Sequence, residues 1–414
     1  MRAIEPFTAA ALAEVIVAAA LVPVLLSGST AVAADGPARG QAVLFFRSPI
    51  SVSSGQWSLT IQGRVYEPAE RSKGRQALID ILAPAVGARS RDKLYRERAG
   101  FFLSDSDRDI RVSVKIGERI VALPPSDPAG YFSADIALTD REVSQLAKDG
   151  VISFESQFTV GNPTRFPGSA VLVPEEGVTV VTDMDDTIKV TDVLDHNEKI
   201  ANTFLRPFNA VPGMPELYRS WENALGPRIH FHVVSAGPWQ FHEPLRRFTE
   251  EAGFPPFTWD MRSVDIGDVR VLLSELSQNL DTIYDHKVQK IRALMSRFPK
   301  RHVVLVGDSG ERDPEVYAKI VAEFMDRVDA VFIRNVHRED QAALQAARYK
   351  TLFSTKEAET KLRVFADPKD LPPLSAPSGG LVAHAPPAMG SGAAGGTPQR
   401  LLAMRYRSLL LNCQ

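Results

Sequence analysis

The apolar run Val178-Thr179-Val180-Val181-Thr182 ends abruptly on Asp183-Met184-Asp185-Asp186-Thr187. A continuous β-rich run with no polar face reads as a strand buried on both sides, the kind a parallel sheet provides. Two carboxylates two residues apart then stand at its C-terminal tip, where open α/β sheets carry their chemistry. A bare D-x-D-x-T string is weak on its own, because short acidic turns are common. It gains weight here from three later elements of the chain, which come in a fixed order.

From Pro174-Glu175-Glu176-Gly177 onward, strand-like runs alternate with helical ones, the signature of an α/β fold with a parallel sheet covered on both faces. The strand candidates are Val178–Thr182, Ile229–Val234, Phe257–Met261, His302–Val306 and Ala330–Arg334. Val288, Ile291, Leu294, Met295 and Phe298 share one face at helical spacing. Asp313-Pro314 opens another helix, with the acid read as its N-cap and proline in the first turn. Right-handed crossovers make this one twisted sheet.

The stretch from 42 to 172 reads differently. Trp57–Gly63, Ile110–Ile116 and Tyr131–Leu138 alternate apolar and polar residues and are separated by turn signals, as in a β-sandwich-like domain. One helix is expected near Ala77–Val86. At the N-terminus, the apolar stretch Val15–Leu26 and the small residues Ala31-Val32-Ala33-Ala34 have the layout of a secretory signal or an N-terminal anchor over 1–34. Arg2 is offset by Glu5, and Glu14 borders the apolar stretch, which weakens that layout. An exported chain, in a periplasm or cell envelope, starts near Ala34 or Asp35; without a working signal the protein is membrane-associated or cytoplasmic. Residues 371–414, rich in Pro, Gly, Ala and Ser, read as a disordered tail, with Leu401–Leu411 as a short amphipathic helix carrying Arg405 and Arg407.

The chain has 414 residues, room for two or three domains. A net charge of −2 and the lack of a long basic run argue against nucleic acid as a partner. The single cysteine, Cys413, excludes a disulfide framework and a cysteine-based metal site.

Beyond the acidic tip, Ser235, with Ala236 and Gly237, closes the second strand candidate, so that its hydroxyl and nearby backbone N–H groups suit an anionic oxygen. Lys287 stands after Asp285 and His286 at a helix start and can stabilise charge on a transferring phosphoryl group. Gly307-Asp308-Ser309-Gly310-Glu311-Arg312-Asp313 closes the fourth strand candidate. Asp183 and Asp308 on neighbouring strands suit the few carboxylates that Mg²⁺ prefers beside water and phosphate. Asp313 is placed to hold a metal-bound water or to orient Lys287. A calcium loop of EF-hand type fails, with Ile188 where its glycine should be and Leu194 where its glutamate should be. A P-loop is absent, and Ser235 is not in a G-x-S-x-G elbow.

D-x-D-x-T, a strand-end serine, a lysine and G-D-x-x-x-x-D, in that order, resemble the haloacid dehalogenase superfamily. Asp183–Val193, Val211-Pro212-Gly213-Met214, Ser235–Gln240, His286-Lys287 and Gly307–Tyr317 resemble the catalytic domain of the actin-patch-type phosphatidate phosphatase family. Trp57–Pro68 is similar to the stretch ahead of that domain in bacterial members. The resemblance spans roughly 45–368 and departs in a segment near Asp326 that is less marked by proline. It implies a dehalogenase-like Rossmannoid sheet over 173–370. It also implies Asp183 as nucleophile and Asp185 as acid and base. Thr187 is implied to hold the turn by side-chain-to-backbone bonding. Thr187, Ser235, Ala236 and Lys287 are implied around the phosphoryl oxygens. Mg²⁺ is implied on Asp183, the carbonyl of Asp185, and Asp308, with Asp313 nearby.

About 50 residues separate Asp183 from Ser235, and about 50 more lead to Lys287. Core elements take up most of each gap, leaving little or no cap. An open site suits a bulky substrate such as a phosphorylated lipid at a membrane surface, with Trp239 and Phe241 placed either against acyl chains or in the core. The alternatives are a phosphatase for a soluble ester or phosphoprotein, and a non-catalytic envelope binding module.

Overall fold

Buried valines build the centre of the molecule as expected. The computed structural model describes residues 34–264 and 280–374, except 54, 158 and 160; the signal-like segment 1–33 and most of the tail, 375–414, lie outside the described residues. Counting strands along the chain, β11 (Gly177–Thr182), β12 (Ile229–Pro238), β13 (Phe257–Arg262), β14 (Arg301–Asp308), β15 (Val328–Arg334) and β16 (Leu362–Phe365) form a parallel sheet in the order β13-β12-β11-β14-β15-β16. All six residues of β11 are buried. That central position explains why its sequence has no polar face. The edge strand β16, with two exposed residues in four, gives too short a signal to read from sequence.

The chain runs outward from β11 to β12 and β13, then returns to β14 beside β11 and runs outward the other way. β11 and β14 therefore flank the point where the connections diverge, the place where open sheets of this kind bind ligands at their C-terminal ends. The register sets Thr182 against both Val233 of β12 and Val306 of β14, so Asp183, Ser235 and Asp308 emerge at one edge of the sheet.

The earlier strands are β1 (Ala34–Asp35), β2 (Ala42–Phe46), β3 (Ser48–Ser53), β4 (Gln56–Glu67), β5 (Asp105–Ser106), β6 (Ile110–Ile116), β7 (Arg119–Pro125), β8 (Tyr131–Leu138), β9 (Val151–Ser156) and β10 (Pro167–Leu172). They form one connected, curled sheet. Its path runs β1-β6-β9-β10-β3-β4-β2, with β5 and β8 also paired to β4 and β7 to β6. The twelve-residue β4 is long enough to pair with β2, β3, β5 and β8, which ties the sheet to itself around one core of Ile50, Leu59, Ile61, Val112, Val114 and Ile152. The expected helix near Ala77–Val86 forms at Lys73–Leu82. A second, Lys93–Phe102, was not expected: its charged sequence has no continuous apolar run, and it is held by the Asp92 cap instead.

The two sheets meet closely. Phe46 stacks on Trp239 with centroids 3.8 Å apart, and the Tyr131 hydroxyl donates to Gln240 Oε1 at 3.0 Å. Of its two expected placements, Trp239 thus takes the one in the core, between the sheets. Among the described residues, no helix is long and apolar enough to cross a membrane.

Candidate active site

Asp183 continues β11 by one residue, and its amide donates to the Val306 carbonyl at 2.9 Å. This ladder bond fixes the carboxylate against the end of β14. Lys287, from the helix Leu280–Arg297, is buried beside it and donates from Nζ to Asp183 Oδ1 at 2.8 Å. The same Nζ donates to Asp313 Oδ1, and Glu311 lies 3.9 Å away. Asp313 Oδ2 accepts from the Asp308 amide at 3.2 Å. The N-cap of the helix Asp313–Glu323 is Arg312, one residue before the expected cap. Asp313 is not spent on capping; its two oxygens face Lys287 and the Asp308 backbone. Gly307 makes this approach possible, because a Cβ there would meet Asp313 Oδ2 at 2.3 Å.

Oxygens of Asp183, Asp308 and Asp313 lie within 4.8 Å of one another, and all three residues are buried. Asp308 Oδ1 accepts from the Gly310 amide at 2.6 Å and the Glu311 amide at 3.3 Å. Its other oxygen, Oδ2, is buried without a hydrogen-bond partner. Buried carboxylate oxygens are rarely left so. Burial, then the neighbouring acids, raise the proton affinity of Asp308, and burial raises that of Asp183 despite Lys287. Burial opposes charge on Lys287, but Asp183, Asp313 and Glu311 outweigh it and hold its proton firmly. One lysine thus faces four acids. This donor set, hard oxygens only with one unsatisfied, fits a small divalent cation.

Asp185 points elsewhere. Its Oδ1 accepts from the Thr191 hydroxyl at 2.6 Å and pairs with Lys189 Nζ at 2.9 Å. Burial pushes its pKa up, but Lys189, Thr191 and Lys199 prevail and bring it to about 2. Its carboxylate is not among the three clustered acids. Asp186, in the left-handed backbone region at φ 54°, accepts from the amides of Thr191, Asp192 and Val193 and closes the loop that carries Lys189. The Thr187 hydroxyl faces Asp183 Oδ2 at 3.5 Å, so its side chain addresses the carboxylate and not the turn backbone. Ser235 is fully buried, with Oγ accepting from the Gly237 amide at 3.0 Å, and Ala236 follows it at the rim.

Sequence reading missed Lys189, Lys199 and Glu311. Asp185 and Lys189 stand four apart with opposite charge, but that spacing signals a pair only on a helix and this segment is a turn; no local signal marks Lys199 or Glu311.

Residues 178–335 match the family model for the catalytic domain of phosphatidate phosphatase APP1. Phosphatidate phosphatase APP1 of Saccharomyces cerevisiae is 26% identical over 266 residues, 60% of this chain and 42% of that protein. An uncharacterised protein of Schizosaccharomyces pombe is 26% identical over 193 residues, 46% of this chain and 30% of its own length. The chain thus spans less than half the length of either relative. The matched segment begins in β11 and ends just past β15, enclosing every acid of the cluster and Lys287.

Proposed function

We propose that the protein is a Mg²⁺-dependent phosphatase of haloacid dehalogenase type that converts phosphatidate to diacylglycerol. The observation that carries this reading is the buried group of Asp183, Asp308 and Asp313 around Lys287, with Asp308 Oδ2 unsatisfied, at the divergence of β11 and β14. The match to the phosphatidate phosphatase catalytic domain supports the choice of ester.

Asp183, Asp308 and Asp313 are the side chains that would hold Mg²⁺, which supplies positive charge against the acids and the substrate phosphate. Lys287 holds Asp183 in place and keeps a fixed positive charge beside it. An Asp183 oxygen attacks phosphorus, the P–O bond to the alcohol breaks, and an aspartyl-phosphate forms. Asp185 in its acid form gives its proton to the departing alkoxide. Its carboxylate then takes a proton from water, whose oxygen attacks phosphorus and releases Asp183. The charged state favoured by Lys189 is the one the second half needs. A phosphate dianion arriving nearby raises proton affinity, the direction the first half needs. Ser235 and the backbone beside Ala236 and Gly237 bind phosphoryl oxygens.

The test is phosphate release from vesicles containing phosphatidate, with Mg²⁺ and with chelator. Metal-dependent release that Asp183→Asn abolishes is expected. Release that survives that substitution would overturn the nucleophile, and equal rates on water-soluble esters would move the substrate away from lipid.

A further inference from the structure

Next to Asp185 lies a slot of mixed, mostly apolar lining. Its polar side chains are Asp185, Lys189, His196, Lys199 and Thr203, and Phe102, Ile200, Phe204, Phe208, Phe241 and Leu245 supply most of its apolar surface. Phe102, Phe204 and Phe241 form a mutual aromatic cluster, with centroids 5.5 to 5.8 Å apart. Phe241 therefore both packs and lines the slot. Phe102 belongs to the helix Lys93–Phe102 of the first half, outside the segment 178–335 that matches the catalytic-domain family.

The same helix shapes the slot a second time. Arg98, buried, donates to the Thr203 carbonyl at 2.7 Å and lies 3.7 Å above the centre of the Phe208 ring. Lys189 Nζ sits 5.1 Å from that ring centre. Arg98 thus anchors the wide helical turn Ala201–Leu205 that carries Phe204, and steadies Phe208. Wide turns of this kind leave the regular helix path and often mark functional positions.

We propose that this slot binds the hydrocarbon portion of the ester's alcohol, and that the first half of the chain, through Arg98 and Phe102, is a specificity wall of the active site. The inference rests on the phosphatase reading. Its occupant follows from position: the alcohol oxygen must meet Asp185, and the carbon bonded to that oxygen enters the adjoining aromatic space. Four phenylalanines, Ile200 and Leu245 outweigh the polar lining, so a hydrophilic alcohol would leave most of its hydroxyls unpaired there. The first half thereby takes the part of a fixed cap.

The experiment uses the full chain, Mg²⁺ and n-alkyl phosphates of two to eight carbons, kept dispersed as single molecules. kcat/KM is expected to rise by up to about fourfold per methylene, the factor given by about 0.8 kcal/mol per buried CH₂. Phe102→Ala is expected to flatten that slope, as is Leu245→Trp, which fills the slot. Where either variant fails to fold, wild-type protein with ω-hydroxyalkyl phosphates decides: a buried terminal hydroxyl is expected to cancel the gain from chain length. Phosphate released at rates independent of chain length overturns the slot while leaving the phosphatase standing. A steep slope that both folded variants retain overturns it as well. Release from no ester at all removes the phosphatase reading, and the slot with it.

Discussion

The two ends of the parallel sheet both bury charge, but they treat it in opposite ways. At the N-terminal end of β14, Arg301 is 1% exposed and all five of its N–H groups are used. They reach the Thr179 hydroxyl and the carbonyls of Pro174, Glu176, Val178 and Arg228, at 2.6 to 2.9 Å. Burial lowers its pKa to about 9, yet nothing is left unpaired. At the C-terminal end of the same strand, Asp308 keeps a buried oxygen without a partner and faces two more acids. The saturated charge ties together the chain segments entering the sheet. The unsaturated one belongs to the proposed cation site. Completeness of hydrogen bonding, more than burial, separates architecture from function here.

Substitution at each end is the sharpest way to break this contrast. Asp183→Asn keeps the shape of the tip but removes the proposed nucleophile, and should lower kcat by about 10⁴-fold or more, the scale seen when one member of a catalytic unit is lost. Its melting temperature should not fall, because a buried acid among acids has been neutralised. Arg301→Met should do the reverse. It strands several buried carbonyls and should cost about 3 to 5 kcal/mol of stability, while kcat per folded molecule stays near wild type. Denaturant unfolding read beside kcat separates the cases; a variant of Arg301 that is stable but inactive would erase the distinction between the ends.

Metal addition probes the upper end alone. At a hundredfold excess over its Kd, Mg²⁺ should stabilise the wild-type protein by about 2.7 kcal/mol. Asp308→Asn should lose that gain while being no less stable without metal. An equal shift in melting temperature for both proteins would place the cation elsewhere.

How far sequence revealed each end follows from the same contrast. The acids of the tip were legible because they interrupt apolar strands at fixed points: Asp183 after Val178–Thr182, Asp308 after Val303–Val306. Their chemistry is local to a strand end, so order along the chain was enough to suggest their meeting. Arg301 was not legible, because its acceptors come from residues 174, 176, 178, 179 and 228, brought together only by the register of β11, β12 and β14. Lys189 stayed hidden for a similar reason: its burial depends on Phe208 and on the loop closed by Asp186. The helix Lys93–Phe102 was missed because its sequence is charged and its contacts, Arg98 to Thr203 and Phe102 to Phe204, cross about a hundred residues of chain.

The smallest effect concerns pH at the lower end. His230 is buried, and its Nε2 meets the Thr258 hydroxyl at 2.8 Å while Nδ1 has no partner. Burial, reinforced by Arg301, lowers its pKa well below the usual 6.5. The fold therefore prefers the neutral ring, and the unfolded chain binds the proton more readily. Stability from this group is complete above about pH 6.5 and falls as pH drops below it, by at most about 1.4 kcal/mol per pH unit, until the folded ring itself protonates. Thermal unfolding of wild type and His230→Gln between pH 7.5 and 5.5 measures this. The variant should start less stable and lose less on acidification. Parallel curves would mean that the proton is taken up elsewhere.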